Sequence, residues 1–438
     1  MSVEAAGRLL LAAMPSPAAH RQGTLDDALA LLSDHPDLAR HDALVAIVTG
    51  DADAFEARVD ADPDALASAA HPAGWSPLLA MCFSRFLRLD RARRPGFHRI
   101  ARRLLAAGAD PNDRFIAGDE VETVLYGASG VANDHVLTRL LLEAGASTDD
   151  DEAAYHSVEF DDMRCARLLI EFGLTLHHQA TSLLHKLDFD DLDGFIALLD
   201  VVADPNGQGR WGKTALHMAL DRARDVRFVD ALITRGAAVD LPRTDGRTPY
   251  ALAARIGRRD VMTRLVDAGA AVSLSAHDAF VAACAAGDRA AAARLRSEAN
   301  ALGAEDHLML VRAAACGNDV GVATMLDFGF GLETRAEWGG TALHHAAWHG
   351  RASTVCLLLS RGADAEVLNS YGDTALGAAV WALSQQRRRD DPESMPVPRV
   401  DVLPVIEALL AGGANPSATR FPSGMADVDA LLVRHGAG

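Results

Sequence analysis

Lysine is almost missing from this chain. Of its 438 residues only Lys186 and Lys213 carry an ε-amine, so nearly all of the 42 basic side chains are arginine. That bias fits a GC-rich coding sequence better than it fits recognition chemistry. Positive charge is also short as a whole. Against 60 acidic residues the formal balance is −18, whereas a general nucleic-acid binder needs a net basic face for its phosphate contacts. Aromatic residues make up only 5% of the chain although 49% is hydrophobic, the profile of Ala/Leu-rich helix pairs. Strand patterns are nearly absent, and no apolar run approaches the length of a membrane span. The five cysteines (Cys82, Cys165, Cys284, Cys316, Cys356) are scattered and form no C-x-x-C, which predicts reduced, buried thiols in a cytoplasmic protein. A short apolar run from Leu9 to Met14 follows Glu4 and lacks a long hydrophobic region. It predicts an amphipathic capping helix, not a signal peptide.

What the chain has in abundance is one repeated unit. Residues 338–350 read WGGTALHHAAWHG, and related stretches stand at 211–223 (WGKTALHMALDRA), 245–257 (DGRTPYALAARIG) and 371–380 (YGDTALGAAV). Thr214 and Thr248 are 34 residues apart. The glycines closing a following apolar helix repeat the period, with Gly236 and Gly269, then Gly329 and Gly362, each 33 apart. Thr214, Thr248, Thr341 and Thr374 sit where a helix needs an N-cap hydroxyl, and Pro249 suits the first helical position. His217 and His344 come three residues later, in reach of the cap. Small residues such as Ala219, Ala253 and Ala346 let the first helix approach its neighbour. Gly257, Gly287, Gly317 and Gly350 suit the left-handed residue that ends a helix. Val355, Leu358 and Leu359 then mark a second helix.

These residues resemble the ankyrin repeat, whose T-P-L-H-x-A core and period they reproduce, and the arrangement is similar to long bacterial ankyrin-repeat proteins. The resemblance implies an all-α fold of helix-turn-helix units with short β-turn fingers, stacked into a curved solenoid. About eleven units are expected over residues 40–438, weaker ones beginning near Gly74, Thr123, Asp151 and Ser182. The expected organisation is capping helices at 1–39, a first half at 40–272 and a second half with a C-terminal cap at 307–438. Between the halves, residues 273–306 form an atypical helix pair where the stack could bend. That pair begins HDAFVAACAAGD from His277 and resembles HDALVAIVTGDAD from His41; neither has the Thr-x-Leu-His opening. Insertions are expected at 83–98, rich in arginine, and at 384–399, rich in proline and charge. At about 10 Å per unit the stack would present a groove on the order of 100 Å long.

Three motifs invite chemistry. Residues 207–214 (GQGRWGKT) satisfy G-x-x-x-x-G-K-[ST], so a nucleotide-binding enzyme would place Lys213 on phosphates and Thr214 on magnesium. However, Gly212 and Thr214 are the residues the repeat itself demands, and the preceding FIALLDVV occupies a second-helix slot rather than a strand. His345 and His349 are four apart, yet no H-E-x-x-H or obvious third ligand accompanies them, so no metal is expected. No G-x-S-x-G occurs, and no catalytic residue or cofactor is assigned. The arginine stripe (Arg85, Arg88, Arg91, Arg93, Arg94, Arg99, Arg102, Arg103) could receive RNA or another anion. A solvated helix extension explains it as well.

The tryptophans point elsewhere. All five map to one side of the unit, which the resemblance makes the concave surface. Trp75, Trp211 and Trp338 lie in fingers, as does Tyr371, while Trp348 and Trp381 lie near the end of a first helix. Such residues dominate binding hot spots. The reading is therefore non-enzymatic protein recognition by a monomer. Its expected contacts are Trp75, Trp211, Trp338, Trp348, His349, Tyr371 and Trp381, with Arg85, Arg88 and Arg255 joining them.

Overall fold

The structure is a computed structural model that describes residues 2–14, 23–62, 74–387, 397 and 400–437. It divides into two compact units, Met1–Lys186 with Ile196–Asp204, and Leu187–Phe195 with Pro205–Gly438. The atypical pair at 273–306 lies inside the second.

In the first unit α1 (Ser2–Ala13) packs on α2 (Ala43–Thr49), burying Leu9, Leu10 and Ala13. Next come α3 (Pro77–Cys82) and α4 (Arg94–Ala106). The arginine-rich insertion is not a loop: Arg85–Leu89 is helical, and residues from Arg94 onward open α4. A hairpin of β1 (Arg114–Ala117) and β2 (Glu120–Thr123) follows, antiparallel, with Phe115 opposite Glu122. It is the one sheet among the described residues. The helices α5 (Asp151–His156) and α6 (Leu176–Lys186) pack on each other near the end of this unit.

The second unit holds the clear repeats. Its helix pairs are α7 (Ala215–Asp221) with α8 (Val226–Thr234), α9 (Pro249–Ile256) with α10 (Arg259–Asp267), and α11 (Ala276–Ala285) with α12 (Arg289–Leu295). Then come α13 (Ala304–Cys316) with α14 (Asp319–Asp327), and α15 (Ala342–Trp348) with α16 (Ala352–Ser360). Last are α17 (Ala375–Arg387), α18 (Leu403–Ala411) and α19 (Ala426–Arg434). The expected loop at 384–399 is thus helical to Arg387, and the rest of it, apart from Val397 and the flank from Val400, lies outside the described residues.

Repeat chemistry works as the residues require. Thr248 Oγ1 accepts the Ala251 N–H, with Pro249 at the first helical position. In the histidine-bearing repeats the hydroxyl instead meets the ring, Thr214 Oγ1 to His217 Nδ1 at 2.8 Å and Thr341 Oγ1 to His344 Nδ1 at 3.0 Å. Each ring's Nε2 then donates to the next finger, to Arg247 O at 3.0 Å and Asp373 O at 3.2 Å. Because Nε2 faces a carbonyl it carries the proton, so Nδ1 accepts. One imidazole therefore locks a helix start to the neighbouring repeat. At the other helix end, Gly257 has φ 84°, and a Cβ there would lie 2.7 Å from Ala285 O. Both the backbone conformation and the space require glycine.

The stack in this unit is not a regular ladder. First helices pack in succession from α7 to α9 and from α13 through α15 to α17, but α9 touches both α11 and α13, while α11 packs on the second helix α14. Asn318 Nδ2 fixes this arrangement, donating to Ile256 O at 3.1 Å and Ala285 O at 2.8 Å. Hence the pair α11–α12 is displaced outward and the flanking repeats close up on the inner side.

Candidate partner-binding surface

The inner side of the second unit carries two things, a chain of ion pairs and a run of tryptophans. Asp221, at the end of α7, is fully buried and receives Lys213 Nζ at 2.7 Å and Arg312 Nη2 at 3.0 Å. The next residue, Arg222, joins Asp188 and reaches Glu337 at 3.0 Å. Arg224 pairs with Asp190 at 3.4 Å, and Arg243 with Asp245 at 2.6 Å and Glu305 at 3.5 Å. In a regular ladder α7 and α13 would stand about 30 Å apart. The Asp221–Arg312 contact instead brings α7 and α13 within side-chain reach of each other.

Tryptophans occupy what remains. Trp338 stacks on His345 with centroids 4.7 Å apart and approaches Trp348 at 6.0 Å. Trp348 in turn stacks on Trp381 at 5.9 Å and 15°. Trp381 is 40% exposed and Tyr371 79% exposed, whereas Trp338 and Trp348 are half-buried. The fingers are joined by Ser370 N donating to Trp338 O at 2.9 Å. Trp338 itself has φ 49°, a left-handed value that a bulky side chain rarely adopts.

Several expected contacts are not at the surface. Arg255 is wholly buried, its guanidinium on Asp278 at 2.6 Å and Asp306 at 2.8 Å, so it is core structure. Trp75 is 7% exposed because the hairpin covers it, with Phe115 stacked at 4.5 Å and Phe83 at 5.9 Å. His349 is buried, and desolvation with nearby Arg224 and His345 holds it well below the usual histidine range. Arg88 is buried and donates to Gly23 O, and the half-buried Arg85 donates to Ala12 O. Trp211 is half-buried, with the Arg210 guanidinium 5.6 Å from its ring.

Several arginines of the stripe have partners within the chain, although Arg91 and Arg102 are exposed and in no ion pair among the described residues. Arg93 meets Asp90 and Thr49 O, Arg94 donates to Ala132 O, Arg99 grips Asp53 and Glu56, and Arg103 meets Asp60. Residues 207–214 form a finger containing a single 3-10 turn, Gly209–Trp211, after the helix Leu192–Leu199. Lys213 there is bound to a carboxylate. Among the described residues no group of His, Cys, Asp or Glu could hold a metal ion. Cys82, Cys165 and Cys284 are buried as expected, but Cys316 is half-buried and Cys356 exposed.

Glu337 had no signal in the sequence, and His345 was weighed there only as a metal ligand, not as the ring beneath Trp338. Burial opposes ionisation of Glu337, yet Arg222 holds its carboxyl below the usual range. His345, under Trp338, is pushed down to about 4 by burial. The HH doublet in the repeat was the available signal.

Stacked helix pairs with turned fingers and a Thr–His lock define a helical-repeat solenoid protein. Residues 338–370 match the ankyrin repeat family. The chain is 29% identical to mouse (Mus musculus) Rabankyrin-5 over 172 residues, 38% of this chain and 14% of that protein. It is 31% identical to Neurogenic locus notch homolog protein 1 of Xenopus laevis over 142 residues, 30% of this chain and 5% of that one. It thus spans a small part of these relatives' length. The crystal structure of the human ASB11 ankyrin repeat domain aligns at 21% identity over 52% of this chain and 96% of that one, with a TM-score of 0.23. The chain thus carries an ankyrin repeat at 338–370 and is similar to ankyrin-repeat proteins over part of its length.

Proposed function

We propose that the second unit recognises a protein partner through the aromatic shelf of Trp338, Trp348 and Trp381, with Tyr371 at its edge. The observation that carries this reading is the Trp348–Trp381 stack. The two residues occupy the same position of successive repeats, 33 residues apart, and the outer ring keeps 40% of its surface in solvent. Elsewhere in the unit the corresponding positions hold Asp221 and Arg255, both consumed by internal ion pairs. The shelf is the part of the inner side left to offer apolar area. Buried aromatic anchors of this kind contribute roughly 2 kcal/mol or more each at protein interfaces.

The protein acts without catalysis in this reading, as a cytoplasmic monomer. No helix among the described residues is long and apolar enough to cross a membrane. An ATP-binding role for Lys213 has less support because its ammonium already neutralises Asp221. An anion-binding role for the arginine stripe has less support because its guanidinium groups are largely engaged.

The test is capture of the native partner from the source organism, comparing wild type with the Trp348→Ala/Trp381→Ala double variant. Loss of the partner with an unchanged melting temperature supports the shelf. Partner and stability lost together would mean the rings only pack the repeats.

A further inference from the structure

We infer that His345 is a proton-operated latch for Trp338: the neutral ring holds Trp338 in the shelf, and the protonated ring releases it. This rests on the reading above and adds a means of regulating that site.

Packing alone does not ask for a histidine here. Met218, Leu252 and Ala378 hold the same position in the other clear repeats, and all three are buried. His345 is buried as well, and its Nε2 has no hydrogen-bond partner among the described residues. The neutral ring can keep its single proton on Nδ1. A second proton, on Nε2, would place a charged donor where no acceptor waits.

Trp338 covers this ring, with centroids 4.7 Å apart and an interplanar angle of 28°. Its own backbone is held in a costly shape. A φ of 49° and a ψ of 23° lie in the left-handed region, which only surrounding contacts impose on a bulky residue. The stack on His345 and the Ser370 N–H bond to Trp338 O are among those contacts. Loss of the stack therefore favours a second backbone state.

The charges around the ring set the direction. Arg222 lies close to it at the end of α7 and Glu337 in the finger, and Arg312 of α13 acts on Glu337 in turn. His344 precedes it on α15, and His349 closes that helix. The other ionisable groups of α13 are occupied: Glu305 by Arg243, Asp306 by Arg255, His307 by the Gly331 N–H and Cys316 by Arg258. Of the other helices packed on α15, α16 carries only the exposed Cys356 and α17 only Arg387, which holds Asp427. Glu337 already belongs to Arg222, so an imidazolium must compete with that guanidinium or turn out toward water. Burial keeps the latched ring neutral down to about 4, whereas a ring open to water takes its proton near 6.5. Between those values each lost pH unit raises the ratio of released to latched Trp338 by about tenfold.

The experiment uses the full chain with an isotope label on the indole nitrogens, so that nuclear magnetic resonance shows one signal for each of the five tryptophans. The Trp338 signal is the one missing from Trp338→Phe. Followed from about pH 7.5 to about pH 4.5, it should shift or split while far-ultraviolet circular dichroism stays the same. His345→Gln and His345→Met cannot take the proton and should hold the signal still; the second restores the residue found at Met218. Native-partner capture should weaken several-fold across the window in wild type and not in His345→Met. A Trp338 signal that stays in place until circular dichroism is lost, or that moves equally in both His345 variants, overturns the inference. So do five signals moving together with the loss of helix, which would be unfolding of the unit. Capture that survives Trp348→Ala/Trp381→Ala removes the shelf as the partner site and leaves the Trp338 titration standing.

Discussion

Arg222 and Glu337 lie 115 positions apart, and their side chains meet with Nη1 3.0 Å from Oε1. The contact joins the end of α7 to the finger before α15 and bypasses the displaced pair α11–α12. Arg222 also holds Asp188, so Arg222→Ala strands two carboxylates in partly buried positions. We expect a loss of about 2 kcal/mol in the stability of the second unit. Glu337→Gln should cost less, because Arg222 keeps Asp188. A double-mutant cycle read by urea denaturation checks the pair, and strictly additive effects would show that it contributes nothing.

Arg255 tests how deeply charge is built into the core. Its guanidinium bridges Asp278 and Asp306 with no exposure, while His277 also reaches Asp306 at 3.0 Å. Arg255→Ala should cost about 3–5 kcal/mol, since two carboxylates lose their shared cation. Partner binding by whatever folded fraction remains should be unchanged. A thermal melt within about 1 kcal/mol of wild type would place Arg255 back among surface residues.

The repeat itself was legible because its signals are local. Pro249 and Gly257 act within one turn of helix and perform as their types require, whereas the Thr214 hydroxyl meets the His217 ring in place of a backbone N–H and that ring reaches the next finger. The alignment of Trp348 with Trp381 followed from the period alone. Burial of Arg255 was not legible, because Asp278 and Asp306 come from helices that the outward shift of α11–α12 brings together. Nor was the fate of Trp75. Its cover, Phe115, sits on strands of four residues each, too short for an alternation to stand out. Part of the arginine stripe was illegible for a related reason. Acids at Asp53, Glu56 and Asp60, about forty positions earlier, pair with Arg99 and Arg103 from the preceding repeat.

Trp75 and Trp381 should behave as opposites. Trp75→Ala removes a ring stacked on Phe115 and close to Phe83, and should destabilise the first unit by about 3–5 kcal/mol. Trp381→Ala removes a ring that is 40% exposed, and should cost no more than about 1 kcal/mol. Chemical denaturation of each variant decides the point. Comparable losses at the two positions would mean that Trp381 is a core residue and would weaken the case for the shelf.

Acid should loosen the second unit in a window set by its histidines. Burial pushes His217 down to about 4, against a smaller opposing effect from its bond to Arg247 O, and burial does the same to His345. In the unfolded chain both rings titrate near the ordinary value of 6.5. Between about pH 6.5 and pH 4 the unfolded state therefore binds protons that the folded state refuses, so stability falls as pH falls. Above that window neither ring contributes to the slope, and below it both states are protonated. Each ring could account for up to about 3 kcal/mol across the interval. His217→Gln can still accept from Thr214 and donate to Arg247 O but does not titrate. It should flatten the acid slope by about one proton at a modest cost near neutral pH. Urea midpoints measured through the window for wild type and His217→Gln test this, and parallel pH profiles would show that His217 is not held neutral by the fold.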